Sequence, residues 1–119
     1  MGEQRREYYR VEYPRKYRPN LTLGGKAYKV INISESGVRF GGAEPKTFRV
    51  GQAVDFNIRF RDGDTVDLWG KVVRVDRATV AIRLDCLIPL DRIRSEDRYL
   101  IKNFPLYTPM PSDRPSGGF

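Results

Sequence analysis

Val54, Phe56, Ile58 and Phe60 alternate with Asp55, Asn57, Arg59 and Arg61, so every second residue of this stretch is apolar. A period of two puts all four apolar side chains on one face of an extended strand, whereas a helix would scatter them around its axis. The stretch is therefore a strand with one face on a core and the other in water. Asp62-Gly63 follows as its turn. Gly24-Gly25 separates Arg18–Leu23 from Lys26–Ile33, a two-residue hairpin signal. Val80, Ile82 and Leu84 repeat the alternation after an Asp76-Arg77 turn. About six short strands divided by turn residues predict an antiparallel barrel or sandwich, and 119 residues suffice for one domain.

Over Thr65–Val75 the alternation changes phase, with Val66 and Leu68 at even positions and Val73 and Val75 at odd ones. Gly70 lies at the change and is the expected site of a bulge or bend. Past Pro89, the spacing of Leu90, Ile93, Leu100, Ile101 and Phe104 predicts a short C-terminal helix laid against the barrel. Residues 1–13 are charged and aromatic without an apolar stripe, and read as an arm ahead of a core domain spanning 14–104. Residues 105–119 hold four of the eight prolines with Ser and Gly, a composition expected to remain disordered.

The chain has no histidine and one cysteine, Cys86. Both the usual zinc ligand sets and the histidine bases that activate serine or cysteine nucleophiles are thereby excluded, and no metal or cofactor is expected. Cys86 stands among Leu84, Leu87 and Ile88 and reads as core. The remaining carboxylate pairs, Asp62 with Asp64 and Glu96 with Asp97, fall in a hairpin turn and on a solvent-facing helix, and read as solvated surface. The expectation is a binding module and not an enzyme. No stretch approaches the roughly 18–20 apolar residues of a membrane span, and the first residues are too polar for a signal peptide. A cytoplasmic location without membrane contact follows. The net charge is +7, and 16 of the 22 basic residues are arginine. Arginine's planar fork bonds phosphate and the guanine edge in pairs of hydrogen bonds, so this bias predicts an anionic partner.

Two motifs refine that partner. Arg6 and Arg10 are four residues apart, an even step in a strand and about one turn of a helix, so both guanidinium groups face one way in either conformation. Asn32 and Ser34 take alternate positions at the end of an apolar strand and project from one face while Ile33 points inward. An amide beside a hydroxyl can bond a base edge and a phosphate or ribose oxygen. Gly37 follows at a turn, where positive φ or a close backbone approach is expected. Arg5, beside the first motif, and Arg74, on the strand after Gly70, are secondary candidates. Tyr8 and Tyr9 could stack on a base, but packing of at least one onto the barrel is the favoured reading.

Together these motifs resemble the PilZ domain, a bacterial receptor family for cyclic dimeric GMP (cyclic di-GMP, c-di-GMP) with the signature R-x-x-x-R followed by D/N-x-S-x-x-G. Arg6 and Arg10 match the first part, and Asn32, Ser34 and Gly37 the second. The resemblance implies an all-β fold, a six-stranded antiparallel split barrel with a C-terminal helix, and an arm that wraps the ligand against it. It implies that Arg6 and Arg10 divide the guanine edge and the phosphates, and that Ser34 bonds phosphate or ribose. Asn32 would meet guanine with one accepting oxygen where aspartate would offer two. Signal transduction then follows from a change in arm conformation read by an effector protein. The alternative function is a barrel for single-stranded nucleic acid, which the charge and seven tyrosines would suit. The strands show no evident exposed pair of aromatics, so nucleic acid is not the expected partner. A PilZ relative that binds only proteins would be expected to have a broken motif, and both motifs are intact.

Overall fold

The computed structural model describes residues 10–44 and 46–107. Seven strands, β1 (Val11–Glu12), β2 (Asn20–Leu23), β3 (Lys26–Ser34), β4 (Gly37–Gly41), β5 (Ala53–Arg59), β6 (Thr65–Val75) and β7 (Thr79–Leu84), precede one helix, α1 (Leu90–Asn103). All pairings are antiparallel. The order β3–β2–β5–β6–β7–β4 returns to β3, which closes a six-stranded barrel with β1 added beside β3. One edge of β3 is shared: Lys26–Lys29 pair with β2, and Asn32 and Ile33 with β1. The other edge pairs with β4 from Lys29 to Ser34.

Local causes account for most of these elements. Gly24 and Gly25 have φ of 60° and 82°, the paired left-handed conformation that joins β2 to β3 in a tight hairpin. Val54, Phe56, Ile58 and Phe60 are buried, as their alternation predicts. At one end of the barrel the Phe48 ring closes on Tyr28 and Phe40, with centroids 5.9 and 5.6 Å away. The bend expected at Gly70 falls instead between Val72 and Arg74, where the register shifts. Leu68, Gly70 and Val72 all stay on the buried face. Gly70 answers a different need. A Cβ there would lie 2.2 Å from the Arg83 carbonyl oxygen, so only glycine lets β6 and β7 approach this closely.

A second bulge, in β3, decides which residues of that strand face outward. Tyr28 and Val30 point inward, and strict alternation would send Asn32 and Ser34 inward after them. The register shifts between Val30 and Asn32, leaving Ile31 as the extra residue. Ile33 therefore takes the core position, fully buried, and Asn32 and Ser34 turn to the outer face.

The expected boundary after residue 13 lies inside the packing. Val11 and Tyr13 are core residues at 0% and 2% exposure, but two alternating positions are too few to register as a periodic signal. The buried stripe of α1 is Ile93, Glu96 and Leu100. Glu96 is thus not the solvated residue its chemistry suggests, because the barrel supplies its partners. Its Oε1 accepts from the Tyr13 and Tyr17 hydroxyls at 2.8 and 3.3 Å, and its Oε2 from Arg92 at 3.5 Å. Arg61 adds an ion pair at 4.0 Å. Arg92 also binds Asp62 and Asp64, which are exposed as expected but tie the β5–β6 turn to α1. Cys86 is half-buried instead of core, and its thiol accepts from the Trp69 backbone N–H at 3.4 Å. The start of the proline-rich tail is anchored, since the Tyr107 hydroxyl donates to Asp97 at 2.6 Å. Residues 108–119 lie outside the described residues.

Gly70→Ala should destabilise the fold by about 2–3 kcal/mol in urea unfolding, because the methyl group would meet backbone that cannot move aside. The tyrosines give the fold an alkaline limit. Burial, followed by the Glu96 charge, raises the Tyr13 and Tyr17 phenols above their ordinary 10. A raised folded-state pKa means full stability below pH 10 and progressive loss above it. Urea midpoints should therefore fall from pH 10 upward, and Tyr17→Phe should make that fall shallower.

Candidate functional site

The strand registers assemble one outer face from five strands, with β3 and its Asn32 and Ser34 between β1 and β4. β1 sets Glu12 opposite Asn32, and the same register continued by one residue sets Arg10 opposite Ser34. β4 sets Arg39 beside Asn32 and Gly37 beside Ser34. β7 then brings Ala81 beside Arg39 and Arg83 beside Gly37, and β6 follows with Arg74 and Lys71. The result is a shelf of small residues, Asn32, Ser34, Gly37 and Ala81, with arginines around it.

Asn32 is 7% exposed although it faces away from the core. Its Nδ2 donates to Glu12 Oε1 at 3.2 Å. A carboxylate only accepts, so this bond fixes the amide with Nδ2 on Glu12 and Oδ1 turned away from it. That Oδ1 is buried and has no hydrogen-bond partner. Leaving a buried acceptor unpaired costs about 1–3 kcal/mol, a strain that an incoming donor would relieve. Ser34 Oγ accepts from the Ser36 backbone N–H at 3.3 Å, which leaves its own O–H to donate. Gly37 is not among the glycines with positive φ, so the expected left-handed turn is not its role. It is an ordinary strand residue paired on both sides, and what it contributes is a missing side chain.

The structure thus brings Arg10, Asn32, Ser34 and Gly37 together. Arg74 stands apart, at the far end of the Asn32 row, in an ion pair with Asp76 at 3.2 Å. Arg5 and Arg6, with Tyr8 and Tyr9, lie outside the described residues. Two residues of this face escaped the sequence reading. Arg39 was legible as the next outward position after Gly37, and it reaches Asp76 at 3.6 Å. Arg83 was not, because its position beside Gly37 depends on how β4 pairs with β7.

A small closed barrel whose outer face presents arginines around an unpaired amide oxygen is built to bind, and the chain has no histidine to serve as a catalytic base. Residues 4–102 match the family model of the PilZ domain, and the chain belongs to that family of c-di-GMP receptors, which are binding modules. Among solved structures it is similar to the inhibitor of motility from Bacillus subtilis, MotI/DgrA, with a TM-score of 0.60 and 16% identity. The match covers 86% of this chain and 54% of that one, so the chain spans about half the length of this relative. The likeness is one of fold. No curated protein matches the chain in sequence. No helix among the described residues is long and apolar enough to cross a membrane.

The Asn32–Glu12 bond has a testable consequence. Asn32→Asp would set two carboxylates against each other and raise the pKa of one of them. A raised folded-state carboxyl pKa favours the fold in acid and costs stability as pH rises. The variant should melt below the unaltered protein at pH 7, by about 1 kcal/mol, and converge with it near pH 4.

Proposed function

We propose that this domain binds cyclic dimeric GMP on the face formed by β1, β3 and β4. The observation that carries the reading is Asn32 Oδ1, a buried acceptor without a donor. Guanine offers N–H donors along one edge, and one of them would complete this oxygen's bonding. Arg10 would bind the phosphate or the O6 and N7 acceptors of guanine, with Arg6 and Arg5 sharing those contacts. The Ser34 hydroxyl would donate to phosphate or ribose, and Gly37 would let the ligand lie close to the backbone.

The domain acts in the cytoplasm as a signalling module. Ligand drawn onto Arg10 changes the conformation of the arm, and an effector protein recognises the altered surface. The path for that change is short. Arg10 precedes β1, and Tyr13, just beyond β1, is hydrogen-bonded to Glu96 of α1. A single-stranded nucleic acid is a weaker candidate. Trp69 is the half-exposed aromatic among the described residues, and its neighbours are the acidic Asp55 across the ladder and Asp67 along its own strand. An acidic setting repels a phosphate backbone.

Calorimetric titration tests the reading. The chain should bind cyclic dimeric GMP at micromolar concentration or below, and GMP far more weakly. Arg10→Ala should cost about 1–3 kcal/mol of binding, whereas Arg94→Ala, on the exposed side of α1, should cost little. Tighter binding of a short RNA than of the dinucleotide would reverse the assignment.

A further inference from the structure

Trp69 is the one tryptophan of the chain, and half of it is exposed on the outer face of β6. Its surroundings are acidic, although the chain as a whole carries a net charge of +7. Asp55 lies opposite it on β5, and Asp67 stands two residues back on the same face of β6. Asp85 flanks it on the other side, just past β7, where the Asp85 N–H donates to the Trp69 carbonyl at 2.9 Å. All three carboxylates are exposed. Lys71, 3.9 Å from Asp85, is the one cation paired with any of them among the described residues. Asn57 donates to Asp67 at 2.9 Å, which orients that carboxylate without neutralising it. Asp55 has no hydrogen bond or ion pair with any described residue. Thr22, Asp55, Asn57, Asp67 and Trp69 line a hollow of about 340 Å³ across β2, β5 and β6. In the closed order β5 stands opposite β4 and β6 opposite β3, so the hollow lies across the barrel from Asn32 and Ser34.

We propose that this hollow is the docking site for a protein partner, which lays an arginine side chain between Trp69 and Asp55. An indole ring left half in water forgoes much of the burial that so large a side chain gains, and tryptophan and arginine are the residues that dominate protein interfaces. A guanidinium is drawn to the face of an indole, the best ring for a cation. Its fork also gives two parallel N–H bonds to one carboxylate, and the Asp55 oxygens are unengaged. Lysine brings a charge without the plane or the fork. The nearest arginine of the chain on this face, Arg59 of β5, makes no ion pair with a described residue, so it does not occupy the place. The proposal is independent of the ligand reading above, because the two faces lie on opposite sides of the barrel and can be filled together.

Trp69 fluorescence reads the hollow directly, since the chain has no second tryptophan. Titration of the full chain with a blocked glycine-arginine-glycine peptide should give a saturable change, weaker for the lysine peptide and absent for the glutamate peptide. Asp55→Asn and Asp67→Asn should each weaken the arginine peptide about threefold and leave the melting temperature unchanged. Glu44→Gln, exposed in the loop between β4 and β5, should have no effect. Calorimetry should show the arginine peptide weakened by Trp69→Phe, and cyclic dimeric GMP bound equally by Asp55→Asn and the unaltered chain. Absence of saturation, or equal binding of the arginine and lysine peptides, overturns the proposal and leaves the ligand reading standing. Equal losses at Glu44 and Asp55 overturn it in favour of diffuse charge. Self-association of the unaltered chain that Asp55→Asn abolishes in sedimentation overturns the assignment to a separate partner, because a second copy would then fill the hollow.

Discussion

The shared pairing of β3 is the constraint on which the rest of this molecule depends. One edge of the strand takes β2 and then β1, while the other edge takes β4 and so closes the barrel. Because side chains alternate, a slip of one residue in any of these ladders would exchange inner and outer faces. The extra residue at Ile31 uses the same rule constructively. It resets the phase midway, so the first half of β3 buries Tyr28 and Val30, and the second half buries Ile33 and turns Asn32 and Ser34 outward. One strand thereby serves the core and the candidate site in succession. The cost of the bulge is met by the ladders on both sides.

A second organising interaction lies where α1 covers the barrel. A carboxylate as buried as Glu96 is tolerated only when its lone pairs are bonded and its charge is balanced. Two phenols and two arginines provide this, and they come from the segment after β1, from the turn after β5 and from α1 itself. Arg92 lies over the Phe60 ring at 4.6 Å and Arg61 over Tyr99 at 3.9 Å, so the cations also cover apolar surface. The network acts as a polar fastener. It ties the strand that follows the arm to the helix, and any movement of one must be accommodated by the other.

The electrostatics of the outer face follow from pairing more than from composition. The chain carries 16 arginines, yet two of those on this face, Arg39 and Arg74, share Asp76, and Lys71 stands close to Asp85. What distinguishes the candidate site is therefore not the density of positive charge. It is an unsatisfied acceptor, Asn32 Oδ1, buried on the outer face. That oxygen leaves bonding capacity that folding alone does not use.

Residues 54–60, the Gly24-Gly25 hairpin and the C-terminal helix were legible because each signal is local: a periodicity or a turn chemistry contained within a few residues. The motif residues Asn32, Ser34 and Gly37 were legible for the same reason, as a pattern at the end of one strand. The sequence alone therefore determined most of the strands and, through the family motif, the barrel class. Tertiary structure decided what depends on residues far apart in the chain. It buried Glu96, whose partners Tyr13 and Tyr17 lie about eighty positions away. It moved the bulge of β6 past Gly70, because β7 presses on that glycine. It set Arg83 beside Gly37, which no spacing along the chain reveals. Alternation tells which face a side chain takes, but the register between strands is settled only when all the ladders of the closed barrel are satisfied at once.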